Sequence, residues 1–358
     1  MSREVTLINK NSGRKTLVGD GKIKLNLSIG LSPVASNIEE ELRKAIVGER
    51  MGVDMITDNS IGRKECIEFY EELSKFTKLP YGGLVVYYVE NFALKEGRSK
   101  VYTEEDFFKS FEFIVNQKSS FVEIHPTLTR NLLKKINFKK RPIVSRSGGI
   151  LAEYMLKENV ENPLFKNYNY FLEMARNNEV ALIIGTCLRP GSLRDSFDEL
   201  HLEEIKLQKE LVKKAHEEHV QVMVEVLGHI RLVDIEKYRI LRKEIDAPIG
   251  ALGPILTDTG IGMDHIVAAI GMVCVSDYVD WCSVITPMEH LGLPREQDII
   301  EGIRSANIAR HIIALLRGEE YEKEDSEFIS GCRSFPCSMC GEEYCPLRLT
   351  RGEIFESS

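Results

Sequence analysis

Four of the eight cysteines crowd into one stretch, CRSFPCSMCGEEYC, between Cys332 and Cys345. Cys337, Cys340 and Cys345 follow a C-x2-C-x4-C spacing. Three thiolates so placed can wrap one corner of a cuboidal 4Fe–4S cluster, leaving one iron open. The amino and carboxylate groups of S-adenosylmethionine can chelate such an iron. Electron transfer would then cleave the molecule to an adenosyl radical, chemistry that belongs to the cofactor rather than to side chains. Zinc is the competing reading, because Cys332 could complete a four-thiolate site with the other three. Spacing alone leaves both readings open. Cys66, Cys187, Cys274 and Cys282 are scattered, and no disulfide framework is expected in a reducing compartment.

A second set of chemically able residues lies at the ends of short apolar runs. These are Ser28, Asp58, Tyr87, His125, Ser145 with Arg146, Thr186, Glu225 with His229, and His290. Their positions matter because parallel-barrel enzymes build the active site at the C-terminal ends of strands. Polar loops alone would also give some polar residues there, but not so regular a set.

The runs themselves span 22–29, 53–59, 83–88, 120–126, 141–145, 180–186, 220–226, 247–253 and 279–286. Charged segments with helical spacing separate most of them, such as IEEELRKAIVGERMG and DELHLEEIKLQKELVKKAHEEH. Strands alternating with helices imply a mostly parallel sheet, and about eight repeats suggest an α/β fold of the (β/α)8 barrel type. Nine runs compete for eight places. The 247–253 run, with its Pro and two Gly, is the weakest, and an open doubly wound sheet is the other arrangement the pattern allows. The expected organisation is an N-terminal arm over 1–21, a barrel over 22–317, and a linker with the cysteine-bearing arm over 318–358.

The chain has 358 residues, 43% hydrophobic and 28% charged, with a formal net charge of -8. That balance argues against a nucleic-acid partner, which usually meets a basic surface. No apolar run approaches the roughly 20 residues that cross a bilayer, and the N-terminal stretch lacks a signal-peptide core. A cytoplasmic protein with no membrane association is expected.

CSMCGEEYC resembles the terminal motif of the phosphomethylpyrimidine synthase family of radical S-adenosylmethionine enzymes. SIGLSPVASNIEEEL, DNSIG, VEIHP, IVSRSGG, LRPGSLRDSFDE, VQVMVE, LGPILTDTGIGMDHI and TPMEHLGLP also have family counterparts, in the same order. The resemblance runs from about Lys22 to Cys345. It implies a (β/α)8 barrel in a homodimer, or in a heterodimer with a paralogue, whose cluster arm reaches the partner's barrel. It implies a 4Fe–4S cluster on Cys337, Cys340 and Cys345, S-adenosylmethionine, and an electron-donor protein. It further implies a second metal, Zn2+ or Fe2+, on His229 and His290, with His265 as a weaker candidate for supporting them. For the substrate, aminoimidazole ribotide, it points to Asn26, Tyr87, His125, Ser145, Arg146, Arg189 and Glu225, the last also handling protons. Arg189 could instead be architectural.

The sequence departs from the family pattern around this pocket. Thr186 stands where the family has an aspartate, Val226 and Leu227 replace the Gly-Pro of EGPGH, and the family has a tyrosine near Gly250 and a methionine near Thr57. Such changes suit the paralogue branch that makes 5-hydroxybenzimidazole, the lower-ligand precursor of cobamides (cobalamin biosynthesis). The expected pocket is neutral and apolar, with a benzimidazole as product. Phosphomethylpyrimidine formation for thiamine is the alternative, and a noncatalytic partner subunit is a second one.

Overall fold

Eight short strands close into a parallel barrel in this computed structural model, which describes residues 3–318 apart from 139, and residue 344. The chain first forms an antiparallel hairpin of β1 (Val5–Ile8) and β2 (Lys15–Val18), with Val5 opposite Val18. The barrel strands follow: β3 (Lys24–Ile29), β4 (Met55–Asp58), β5 (Tyr81–Leu84) and β6 (Phe121–Ile124). Then come β7 (Ala181–Ile184), β8 (Val222–His229), β9 (Ile249–Ile255) and β10 (Trp281–Ser283). They pair in chain order, and β10 closes on β3. Most are apolar and buried throughout, as expected when helices cover a sheet whose other face fills the barrel.

The helices that face the strands carry clear start signals. Asn37 accepts a hydrogen bond from the Glu40 amide at 3.0 Å and opens the helix Ile38–Arg50, whose first turn holds Glu39, Glu40 and Glu41. Thr103 and Asp106 form a reciprocal capping box at the start of Glu104–Asn116. Asp198 caps the 19-residue helix Glu199–Glu217.

Two strand expectations need correction. The 141–145 run is not a strand. The Lys140 and Arg141 amides donate to the Asp195 carboxylate at 2.8 and 2.9 Å, Pro142 has no amide to give, and Ser145 caps the next helix. The 247–253 run, thought weakest, contains β9. Its Gly250 lies in register with Trp281, and a Cβ there would sit 2.0 Å from the Trp281 ring. The glycine makes room for the indole rather than weakening the strand. In the third run the strand begins earlier, at Tyr81, and Val85 already starts the helix Val85–Lys95.

The hairpin within 1–21 closes one end of the barrel. Val5, Leu7 and Val18 cluster with Met55, Phe121, Met223 and Trp281, all at or near the starts of their strands. The unit containing the barrel is Met1–Arg310, and His311–Ser358 forms a second unit. The last described helix, Glu296–Leu316, runs from one into the other.

Candidate active site

The ends of the strands opposite the hairpin surround a cavity of about 720 Å³. Its floor is a smaller recess lined by Asn26, Tyr87, Glu123, His125, Ser145, Arg146, Arg189 and Glu225, with Thr57 and Trp281. Ser28, Tyr87, Arg146 and Arg189 line both parts, so the two are continuous. All seven residues expected to meet substrate are brought together here. Tyr87 arrives from the first turn of Val85–Lys95 rather than from a strand end.

Each floor residue is held by its element. Asn26 on β3 accepts from the Thr57 hydroxyl on β4 at 2.8 Å. Ser145 accepts from the Gly148 amide at 3.2 Å, so the SRSGG segment is the capped first turn of the helix Arg146–Glu158 and not a flexible turn. The Arg146 guanidinium lies 5.2 Å from the centre of the Tyr87 ring, a cation–π distance. Arg189 donates to the Thr186 carbonyl at 3.1 Å and stands 3.6 Å from the Glu225 carboxylate.

The floor is strongly desolvated. Burial, with some help from Arg189, pushes the His125 imidazole down to about 3, so it is neutral at ordinary pH. Burial raises the Glu225 carboxyl against the opposing pull of Arg189. Burial, and then the neighbouring Glu225, raise Glu123 well above the usual carboxylate range. Glu123 was missed as a site residue although it sits in VEIHP. The signal was available: it is two residues before His125 on β6, and alternate strand residues face the same side.

His229 and His290 stand at the mouth, with ring centres 5.5 Å apart. The His229 Nδ1 meets the Asp258 carboxylate at 2.8 Å, and the His290 Nδ1 meets Asp264 at 2.9 Å. With each Nδ1–H donating to its carboxylate, both Nε2 lone pairs are free to ligate a metal. Asp258 and Asp264, rather than His265, thus hold the two imidazoles. His265 faces a separate recess with Ala268, Met272 and Gly302, and its Nδ1 is buried without a partner. The donor set suits Zn2+ or Fe2+, and two imidazoles leave coordination positions open.

The mouth also carries residues that sequence reading missed. Lys44, buried, pairs with Glu41 at 2.6 Å, and Glu41 accepts from the Gly30 amide at 2.9 Å. Both line the cavity with Arg141, Arg146 and Arg189.

The departures from the family pattern mostly do not shape this cavity. Val226 and Leu227 are buried and line neither the cavity nor its floor among the described residues. The Thr186 hydroxyl donates to Glu204, which also accepts from Thr127, from the Cys187 amide at 2.6 Å and from the Leu188 amide at 3.0 Å. Glu204 thus fixes the turn that presents Arg189. The expectation of an apolar pocket fails: Glu123, Glu225, Arg146 and Arg189 all reach it. The cluster cysteines Cys337, Cys340 and Cys345, and Cys332, lie outside the described residues.

Comparison with known proteins settles the family. The pattern described as the Radical SAM ThiC family matches residues 3–335. The chain belongs to that family. As a ThiC-family protein it is a radical S-adenosylmethionine enzyme, and the family chemistry uses an iron–sulfur cluster. Phosphomethylpyrimidine synthase of Pyrococcus abyssi is 35% identical over 93% of this chain and 81% of its own length. That of Methanopyrus kandleri is 32% identical over 95% of this chain and 87% of its own. Among solved structures, dihydropteroate synthase of Xanthomonas albilineans matches 88% of this ThiC-family chain and 99% of its own, with TM-score 0.51 at 10% identity. That likeness speaks to the barrel alone. No helix among the described residues is long and apolar enough to cross a membrane.

Proposed function

We propose that this ThiC-family enzyme is a carbon–carbon lyase that rearranges aminoimidazole ribotide. The observation that carries this reading is the single cavity in which basic residues ring the mouth while Asn26, His125 and Glu225 gather at the floor. A phosphorylated heterocycle has matching ends, an anionic group and an uncharged polar ring. Arg146, at the start of a capped helix, and Arg141 and Lys44 would hold the phosphate. Asn26, His125 and Ser145 would orient the ring, and Glu225 would accept or return a proton during rearrangement. Cys337, Cys340 and Cys345 would hold a 4Fe–4S cluster, which when bound would supply the electron for cleaving S-adenosylmethionine. His229 and His290 would hold Zn2+ or Fe2+. A homodimer or a paralogue heterodimer, an electron-donor protein and a cytoplasmic location complete the reading.

Two products are in play. The names of the relatives favour the phosphomethylpyrimidine of thiamine biosynthesis. One observation favours 5-hydroxybenzimidazole. The carboxylate expected at position 186 is missing, Thr186 is turned to Glu204, and a different carboxylate, Glu123, enters from β6. Proton handling around the ring is therefore rearranged. Anaerobically reconstituted protein with S-adenosylmethionine, a reductant and aminoimidazole ribotide should consume the ribotide, with the product read by mass spectrometry. Cys337→Ser, Cys340→Ser and Cys345→Ser should each abolish the 4Fe–4S absorbance, while Cys332→Ser retains it. A zinc protein equally dependent on Cys332 would refute the radical reading. Rescue of a thiamine-pyrimidine auxotroph by this gene alone would decide for the pyrimidine.

A further inference from the structure

The floor of the cavity holds a charge problem that substrate residues known from motifs do not resolve. The polar ends of Glu123, His125 and Glu225 all lie within 4.8 Å of one another. Glu123 is 9% exposed and Glu225 4%. The groups facing Glu123 are His125 just past the end of its strand, Glu225 from β8, Arg189 from the turn after β7, and the Tyr87 ring from the helix after β5. His125 is neutral, and burial keeps the Tyr87 phenol protonated. Arg146 lines the same recess but lies over the Tyr87 ring, and the guanidinium that acts on both carboxyls is that of Arg189. Two carboxyl groups therefore face one guanidinium, Arg189. Two ionised carboxylates this close and this dry repel strongly, and such pairs retain one proton between them.

We propose that Glu123 is a specificity-determining residue of this cavity: with Glu225 it holds one proton across the barrel floor, so that the floor presents one acid O–H and one carboxylate acceptor to an uncharged, amino-substituted azole. This rests on the proposed reading of the cavity as the ribotide site. Arg189 offsets the remaining negative charge, leaving the Glu123–Glu225–Arg189 group electrically neutral. The acid O–H meets a ring nitrogen lone pair, and the carboxylate meets amino N–H groups. A ring lacking either feature leaves a buried polar group unpaired, which is the costly outcome. Loss of the shared proton would leave that group net negative and without the acid O–H that meets the ring nitrogen.

The test is binding of aminoimidazole ribotide to the full chain, by calorimetry without S-adenosylmethionine, followed from about pH 7 to about pH 10 to reach the alkaline side to which burial raises a retained carboxyl proton. The wild type should lose affinity as pH rises, approaching about tenfold per pH unit once the proton must be taken up on binding. Glu123→Gln keeps the shape and stays neutral at every pH. It should bind within about threefold of the wild type near pH 7 and lose the alkaline fall. Glu123→Ala should bind at least about tenfold more weakly, because it leaves the ring's polar group unpaired. Parallel pH profiles in wild type and Glu123→Gln, or a wild type with no alkaline loss, would overturn the proposal. A merely structural Glu123 would shift affinity without changing the profile. If the wild type binds no ribotide at any pH, the functional reading fails instead. The proton pair is then judged by infrared titration of the ligand-free protein. A carboxylic-acid C=O band that persists at pH 7 and vanishes in Glu123→Gln supports it, and a band unchanged by the substitution overturns it.

Discussion

Two imidazoles with ring centres 5.5 Å apart would repel each other if both were protonated, so their neighbours decide what they can do. Burial lowers the His229 pKa, against the pull of Asp258. A neutral ring is the form that binds a metal. Each carboxylate fixes its histidine's tautomer by taking the Nδ1 proton. Asp258 is itself held by the Leu193 amide at 3.0 Å, and Asp264 accepts from the Gly262 amide at 3.2 Å. Removing the carboxylate should therefore loosen the ligand without deleting it. We expect Asp258→Asn and Asp264→Asn each to weaken metal binding by about 10–100-fold, with loss of metal in His229→Ala and His290→Ala. Metal analysis after dialysis against graded chelator checks this, and undiminished retention in both Asp variants would remove them from the site. The histidines were legible from their motifs. Their carboxylates were not, although both lie inside the quoted LGPILTDTGIGMDHI. Which nitrogen finds which oxygen depends on how the loops after β9 and β10 come together, and no spacing rule encodes that. Glu123 is the opposite case, since its period-two relation to His125 was readable in VEIHP.

At the scale of the element, each strand ends by delivering one or two side chains to the cavity, and the helix that follows fixes the delivery. Glu225 and His229 share β8, whose pairing with β9 is irregular between Glu225 and Leu227 and again between Leu227 and His229. Those shifts carry the strand from the barrel floor to its mouth. They also explain why Val226 and Leu227 could be read as pocket residues: a regular alternation would have turned one of them inward. The strand rhythm was otherwise legible, because eight of nine apolar runs overlap a barrel strand. The exception, 141–145, is an apolar stretch whose amides are claimed by a side chain, Asp195. The underrated run, β9, is a case where a partner strand needs a glycine. Gly250→Ala should place a methyl against the Trp281 ring, where the Cβ would lie 2.0 Å from Cε2. Overpacking of that kind costs about 1–3 kcal/mol. A fall in the urea midpoint with an unchanged slope would register it, whereas wild-type stability would show that Trp281 yields easily.

The barrel has unlike ends, open where the strands finish and stoppered where they begin. The sequence showed the open end through its polar residues, but the 1–21 segment read only as an arm. Its two strands are too short to announce a hairpin, and its role lies in contacts to residues distant in sequence. Leu7 is fully buried, clustered with Phe121, Met223 and Trp281. Trp281 joins the two ends, because its ring also lines the cavity floor and fills the space beside Gly250. The stopper therefore has two separable duties, to bury the lower ends of the strands and to support the indole from beneath. Leu7→Ala leaves a cavity that the closed strands cannot easily collapse around, and such losses run to about 3–5 kcal/mol. We expect a destabilisation of that order in chemical denaturation. If the indole also relaxes, the single tryptophan (Trp281) should change its fluorescence under native conditions, and ribotide affinity should fall with it. A destabilised variant with native fluorescence and affinity would confine the hairpin to stability. A variant as stable as the wild type would show that the hairpin does not close the barrel in solution.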